Sequence, residues 1–219
     1  SIMAPTALGI AEIVAEARSF EIPHVVHRDD AISDLPEPKP FNLVHIITGI
    51  RRCGKTFYAF QWIRRLIDRG VDAERIFYFN FADDRLRPAP DTLMSDILEE
   101  YWRQVPSART KGCYLFLDEV QEFKDIVTRV KFLVEDGSYR YIMSGSLLGV
   151  ELNDLRSAPV GYLRVCDMYP MDLHEFMVSV GVNQNVIDTL KECFTQRLPV
   201  DSFVHEKMPV SYTHLRAHE

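Results

Sequence analysis

The chain is 219 residues long, 47% apolar, 26% charged and 11% aromatic. Against roughly 150 residues per domain, this allows one good-sized domain with attachments or two small ones, and it excludes the disordered, collagenous and coiled-coil classes. The balance of 25 basic and 32 acidic side chains gives a net charge of −7, unlike the basic footprint of a module that lives on phosphate backbones.

In chain order, Leu8, Ile10, Ile13, Val14, Ala17 and Phe20 recur at helical spacing and predict an amphipathic N-terminal helix that docks on another element. The stretch from Arg28 to Pro40, with Asp29, Asp30, Asp34, Glu37, Pro36, Pro38 and Pro40, is polar and helix-breaking and reads as a linker. From Phe41 onward, short apolar runs alternate with longer amphipathic segments, the order that builds a parallel sheet covered by helices. Strands are expected at Leu43 to Thr48, Arg75 to Phe81, Cys113 to Asp118, Tyr139 to Ser144 and Tyr162 to Met168. Helices are expected at about 55 to 69, 91 to 104 and 123 to 135, the first closed by Gly70 and the second followed by Pro106. Beyond Pro170 two more are expected, at Leu173 to Val180 and Val186 to Phe194. The organisation expected is a helix and linker over 1–40, a core over 41–170, the start of a cut-off domain over 171–209 and a non-native tail over 210–219.

Gly49-Ile50-Arg51-Arg52-Cys53-Gly54-Lys55-Thr56 matches G-x-x-x-x-G-K-[ST] at every fixed position. It follows the apolar run Leu43-Val44-His45-Ile46-Ile47 and opens a helix carrying Phe57, Phe60, Ile63, Leu66 and Ile67, the strand-loop-helix setting that the motif requires. A loop of this length wraps the terminal phosphates with inward N–H groups, and the helix adds its positive N-terminal end. Gly49 permits the turn and Gly54 the close approach, Lys55 reaches the β- and γ-phosphate oxygens, and the Thr56 hydroxyl is the expected Mg²⁺ ligand. The nucleotide-binding stretch is thus Gly49, Ile50, Arg51, Arg52, Cys53, Gly54, Lys55, Thr56 and Phe57.

Tyr114-Leu115-Phe116-Leu117-Asp118-Glu119 supplies four buried apolar residues and then two carboxylates at the strand's C-terminal end, where ligands sit in open α/β sheets. Asp118 is expected to bind Mg²⁺ through water, and Glu119 to polarise the attacking water. Ser144 and Ser146, ending the next strand, are candidates for contact with the γ-phosphate or the lytic water, although a serine-rich turn reads equally well. Among other residues, Asp83 and Asp84 fit either an accessory polar group or a solvated turn, and His24 and His27 form an isolated H-x-x-H. Arg140, Arg156 and Arg164 are candidates for an arginine supplied to a neighbouring subunit. Cys53, Cys113, Cys166 and Cys193 form no C-x-x-C pair, so reduced thiols in a cytoplasmic protein are expected. No apolar run approaches the roughly 18 to 20 residues of a membrane span, and Glu12 and Glu16 break the N-terminal stretch where a signal peptide would run.

Together GIRRCGKT, YFNFADDRL (Tyr78 to Leu86), LFLDEVQ (Leu115 to Gln121), MSGSLL (Met143 to Leu148) and PVGYLRVCDMYPMDLHEF (Pro159 to Phe176) resemble the prokaryotic AAA-superfamily ATPases that carry a C-terminal domain of uncharacterised function. The resemblance runs from about Phe41 to Met208. It implies a three-layer α/β P-loop NTPase core (AAA/RecA-like) with a mostly parallel five-stranded sheet, ATP and Mg²⁺ as ligands, Asp118 and Glu119 as the second acidic motif, and Ser144 or Ser146 at the sensor position. Two departures stand out. Tyr162 follows Gly161 where many relatives carry a cation, the next being Arg164, and the relatives continue past the segment matching His205 to Met208, where this chain turns into a foreign-looking tail from Val210 to Glu219.

The expected function is hydrolysis of the β–γ phosphoanhydride bond of ATP. The rivals are an ATP-dependent switch or scaffold with little turnover, acting on a protein partner or as a homo-oligomer, and a small-molecule P-loop kinase. A GTPase is disfavoured because no N-K-x-D motif appears, and nucleic acid enters by family analogy alone.

Overall fold

The computed structural model describes residues 7–25, 28, 32, 34–38, 44–51, 53–122, 139–145, 163–170 and 172–196. Two compact units divide the chain, one within Ser1–Val25 and Asp29–Pro170, the other within Val26–Arg28 and Met171–Glu219.

In the first unit, β1 (Val44–Thr48), β2 (Ile76–Asn80), β3 (Cys113–Asp118), β4 (Tyr139–Gly145) and β5 (Leu163–Asp167) form one sheet in the order β2-β3-β4-β1-β5. Every pairing is parallel. The strands lie within two residues of their expected bounds, because a strand covered on both faces must be apolar nearly throughout. All six residues of β3 and all five of β1 are buried. The parallel register sets Ile47 opposite Ser144, Thr48 opposite Asp167 and Asn80 opposite Asp118, so the carboxyl ends of the strands share one edge.

Alternation along the strands separates two cores. On one face, α1 (Ala7–Arg18) and α3 (Leu93–Gln104) bring Ile13, Val14, Ile97 and Leu98 onto Phe77, Phe79, Leu115 and Met143. Tyr101 stacks on Phe77 at 4.3 Å between ring centroids, and Trp102 stacks on Tyr139 at 4.6 Å. The N-terminal helix expected to dock therefore docks on this layer. On the other face, α2 (Lys55–Asp68) buries Tyr58, Trp62, Ile63 and Leu66 against Ile47, Phe116, Ile142 and Cys166. Each such apolar side chain contributes roughly 1.5–3 kcal/mol on burial.

Two local features differ from the sequence expectation. The stretch read as a linker lays Ile32 and Leu35 into the α2-side core, where the Pro36 carbonyl accepts from Arg140 Nε at 2.9 Å. Its prolines bar a helix but not packing. Pro106, read as a stop, opens a further short helix, α4 (Pro106–Lys111), because a proline at the first helical position forgoes an N–H that has no partner there.

In the second unit, α5 (Leu173–Ser179) begins at a capping box formed by Asp172 and Glu175. Met177 on α5 clusters with Val182 and with Val186, Ile187 and Leu190 of α6 (Gln184–Gln196). Arg28 pairs with Glu175 at 3.3 Å. The helix expected at 123–135, the segment 197–209 and the tail 210–219 lie outside the described residues. No described helix is long and apolar enough to cross a membrane.

Candidate functional site

The loop between β1 and α2 is shaped by its two glycines. Gly54, the residue before α2, has φ 93°, a left-handed conformation that a side chain would strain. Gly49 is fixed by close approach: a Cβ there would lie 2.4 Å from the Met168 carbonyl oxygen and 2.7 Å from Cys53 Sγ. Met168 is held in turn by its N–H, which donates to the Thr48 carbonyl at 2.7 Å, while the Thr48 hydroxyl donates to Asp167 at 2.6 Å. The start of the loop is therefore clamped to the end of β5.

Lys55 is only 5% exposed. Its Nζ donates to the carbonyls of Gly49 at 2.9 Å and Ile50 at 2.7 Å and lies 3.7 Å from Cys53 Sγ, so the ammonium sits in the mouth of the loop. Cys53 is buried beneath it, whereas Ile50, Arg51 and Phe57 point outward. Arg52 lies outside the described residues.

Asp118, 2% exposed at the end of β3, accepts four hydrogen bonds. On Oδ2 it receives the Thr56 hydroxyl at 2.6 Å and the Tyr78 hydroxyl at 2.8 Å. On Oδ1 it receives the Glu119 N–H at 3.0 Å and the Ser144 hydroxyl. Four donors fill the acceptor capacity of a carboxylate and make burial of its charge tolerable. Burial, followed by the charge of Asp118, raises the Tyr78 hydroxyl well above the ordinary tyrosine range, so it remains a donor. Thr56 and Tyr78 also line a cavity of about 520 Å³ together with Phe20, Phe60 and Asn80.

Glu119 has φ 58°, left-handed for a non-glycine residue, at a cost of about 1–2 kcal/mol. That turn aims its N–H at Asp118, and its own carboxylate accepts from the Gln121 side-chain amide. Ser146 lies outside the described residues.

Lys55, Thr56, Asp118 and Ser144 thus converge from α2, β3 and β4. Among the described residues no group of three His, Cys, Asp or Glu gathers to hold a metal unaided. The donors that do gather, one carboxylate and hydroxyl oxygens, are hard ligands of the kind that suit a cation shared with phosphate and water.

Tyr78 was not singled out by sequence reasoning. Its only signal is a tyrosine in an apolar strand, and that looks like core. The Thr48–Asp167 clamp was missed as well, since no spacing links residues from the ends of different strands. Arg140 is corrected as a candidate for donation to a neighbouring subunit: it is 5% exposed and its Nε is bound to Pro36. It also sits near the start of β4, away from the Asp118 edge. Arg164 is exposed opposite His45, near the start of β5, and Arg156 lies outside the described residues. Asp83 caps a short turn and pairs with Arg85, which holds its carboxyl below the usual range. His24 is exposed, and His27 is outside the described residues.

The model of a family described as "AAA domain" matches residues 42–177. An uncharacterized protein of Haemophilus influenzae is 23% identical over 159 residues, covering 73% of this chain and 39% of the relative. The uncharacterized protein MJ1544 of Methanocaldococcus jannaschii is 27% identical over 154 residues, covering 70% of this chain and 31% of the relative. The match therefore spans well under half the length of either relative. The solved structure of C. elegans PCH-2 aligns at 12% identity with a TM-score of 0.42, covering 94% of this chain and 50% of that one.

Proposed function

The chain belongs to the AAA domain family, whose matched stretch takes in the phosphate loop and all five strands, and from that premise we propose that it binds Mg²⁺·ATP and hydrolyses the β–γ phosphoanhydride bond. One observation carries the reading: the Thr56 hydroxyl, one residue past the loop lysine, meets the Asp118 carboxylate at 2.6 Å. That contact joins the two halves of a metal–phosphate site from segments far apart in sequence.

In this reading the backbone N–H groups of Gly49 to Phe57 and the first turn of α2 cradle the phosphates. Lys55 exchanges its bonds to the Gly49 and Ile50 carbonyls for β- and γ-phosphate oxygens. Thr56 would hold Mg²⁺ directly and Asp118 would hold it through water, and the ion when bound neutralises charge on the phosphate oxygens. Glu119 takes the proton of a water whose oxygen forms a bond to the γ-phosphorus, while the bond from that phosphorus to the β–γ bridging oxygen breaks. The products are ADP and inorganic phosphate, and a general base of this kind contributes about 10²–10⁴ in rate. Ser144 and Ser146 remain the sensor candidates.

We place the core at residues 41–170 of a cytoplasmic protein, a setting in keeping with a sequence that carries no C-x-x-C pair. A homo-oligomer or a protein partner would receive the ATP cycle.

The second reading, an ATP-dependent switch with little turnover, draws on the Gln121 amide that engages the Glu119 carboxylate. Phosphate release from ATP, measured with Mg²⁺ and with excess chelator, separates the two. Hydrolysis predicts steady release that needs Mg²⁺ and vanishes in Lys55→Ala. Tight ATP binding without release would favour the switch.

A further inference from the structure

Tyr78 lies on the α2-facing side of β2, where its register partner on β3 is Phe116 and the next pair is Asn80 with Asp118. Its ring is packed edge-on against Phe60, 4.9 Å between centroids, and lies 6.1 Å from Phe20. A phenylalanine would fill that place equally well. Only the hydroxyl reaches past Phe116 to the Asp118 carboxylate, at 2.8 Å.

The terminal torsion of an aspartate is broad, so the direction of its oxygens is set by the donors around them. Asp118 Oδ1 is held by the Glu119 N–H and the Ser144 hydroxyl. Oδ2 is held by Thr56, which belongs to the loop-helix junction that the nucleotide engages, and by Tyr78, which belongs to a paired strand. Tyr78 is thus the donor to Oδ2 that comes from the rigid sheet and not from the phosphate-binding segment.

We infer that Tyr78 is a positioning residue for Asp118, its hydroxyl orienting the carboxylate oxygen that faces Thr56 so that the pair is preformed for Mg²⁺. This rests on the Mg²⁺·ATP reading above and extends it to a residue outside both sequence motifs. Partners of metal-ligating groups typically change metal affinity by 10–100-fold when removed.

The test is Tyr78→Phe in the full 219-residue chain, with fluorescent ATP binding titrated against MgCl₂ and, separately, measured in EDTA. The expected result is a rise of about tenfold or more in the Mg²⁺ concentration for half-maximal enhancement of binding, with affinity in EDTA unchanged to within about twofold. A rise of less than about threefold overturns the inference. So does a parallel loss of binding in EDTA, because the hydroxyl would then support the loop as a whole and not the metal carboxylate. The parent protein is titrated first. If Mg²⁺ does not enhance its binding, the Mg²⁺·ATP reading itself fails, a result distinct from a parent that responds and a variant that responds equally.

Discussion

A Cβ on Gly49 would stand 2.4 Å from the carbonyl oxygen of Met168, closer than a Cβ comes to any non-bonded atom. The first glycine of the phosphate loop is therefore set by a contact with the residue just after β5, on a strand beside its own. Gly49→Ala must push the loop away from that strand. We expect ATP affinity to fall at least tenfold and stability to drop by about 2 kcal/mol, the usual scale of overpacking. Gly70→Ala is the control. Gly70 also has positive φ, at 90°, but nothing lies within 4 Å of its Cβ position, so it should lose about 1 kcal/mol and leave ATP affinity unchanged. Calorimetric titration and urea denaturation of both variants check this.

Lys55 donates to two loop carbonyls at 2.9 and 2.7 Å and is nearly buried. Lys55→Ala is expected to abolish measurable ATP binding while costing about 1–3 kcal/mol of stability, the scale of lost hydrogen bonds from a charged donor. Lys55→Arg is expected to fail as well, because a planar fork cannot replace a compact ammonium in so tight a space. Binding isotherms beside thermal melts separate the two effects.

Asp118 gathers three hydroxyls and one N–H. Asp118→Ala leaves those donors without their acceptor and should destabilise the fold by about 1–3 kcal/mol. It should also abolish the Mg²⁺ dependence of ATP binding while leaving affinity in EDTA near that of the parent. If Mg²⁺ still enhanced binding in this variant, the metal would be held elsewhere.

His45, 4% exposed in β1, has an Nδ1 without a hydrogen-bond partner among the described residues. Burial, then the charges of Arg164 and Arg140, lower its pKa from 6.5 to about 4. Between pH 6.5 and 4 the unfolded chain binds a proton that the folded chain refuses, so stability is complete above pH 6.5 and declines as pH falls toward 4. A pKa lowered that far corresponds to about 3–4 kcal/mol at most. His45→Leu should flatten that decline in urea midpoints measured from pH 7 to 4.

Much of the fold was legible because its strands are buried on both faces: Cys113 to Asp118 reads as one apolar run that stops at a carboxylate, and the structure gives that strand the same bounds. The phosphate loop was legible because its chemistry depends on neighbours in sequence. What escaped depends on neighbours in space. Tyr78 meets Asp118 across 40 positions, and Arg140 meets Pro36 across 104. Neither period nor spacing encodes such pairs. Pro106 is a different case, since one residue type serves both to end a helix and to begin the next.

Glu119 is the residue on which the hydrolytic reading turns, held at φ 58° directly after Asp118. The most direct measurement is ATP turnover by Glu119→Gln beside its ATP affinity. Glutamine keeps the size and the acceptor oxygen but cannot take a proton, so affinity should stay within about twofold while turnover falls at least about 10²-fold. Parental turnover in Glu119→Gln would contradict the mechanism.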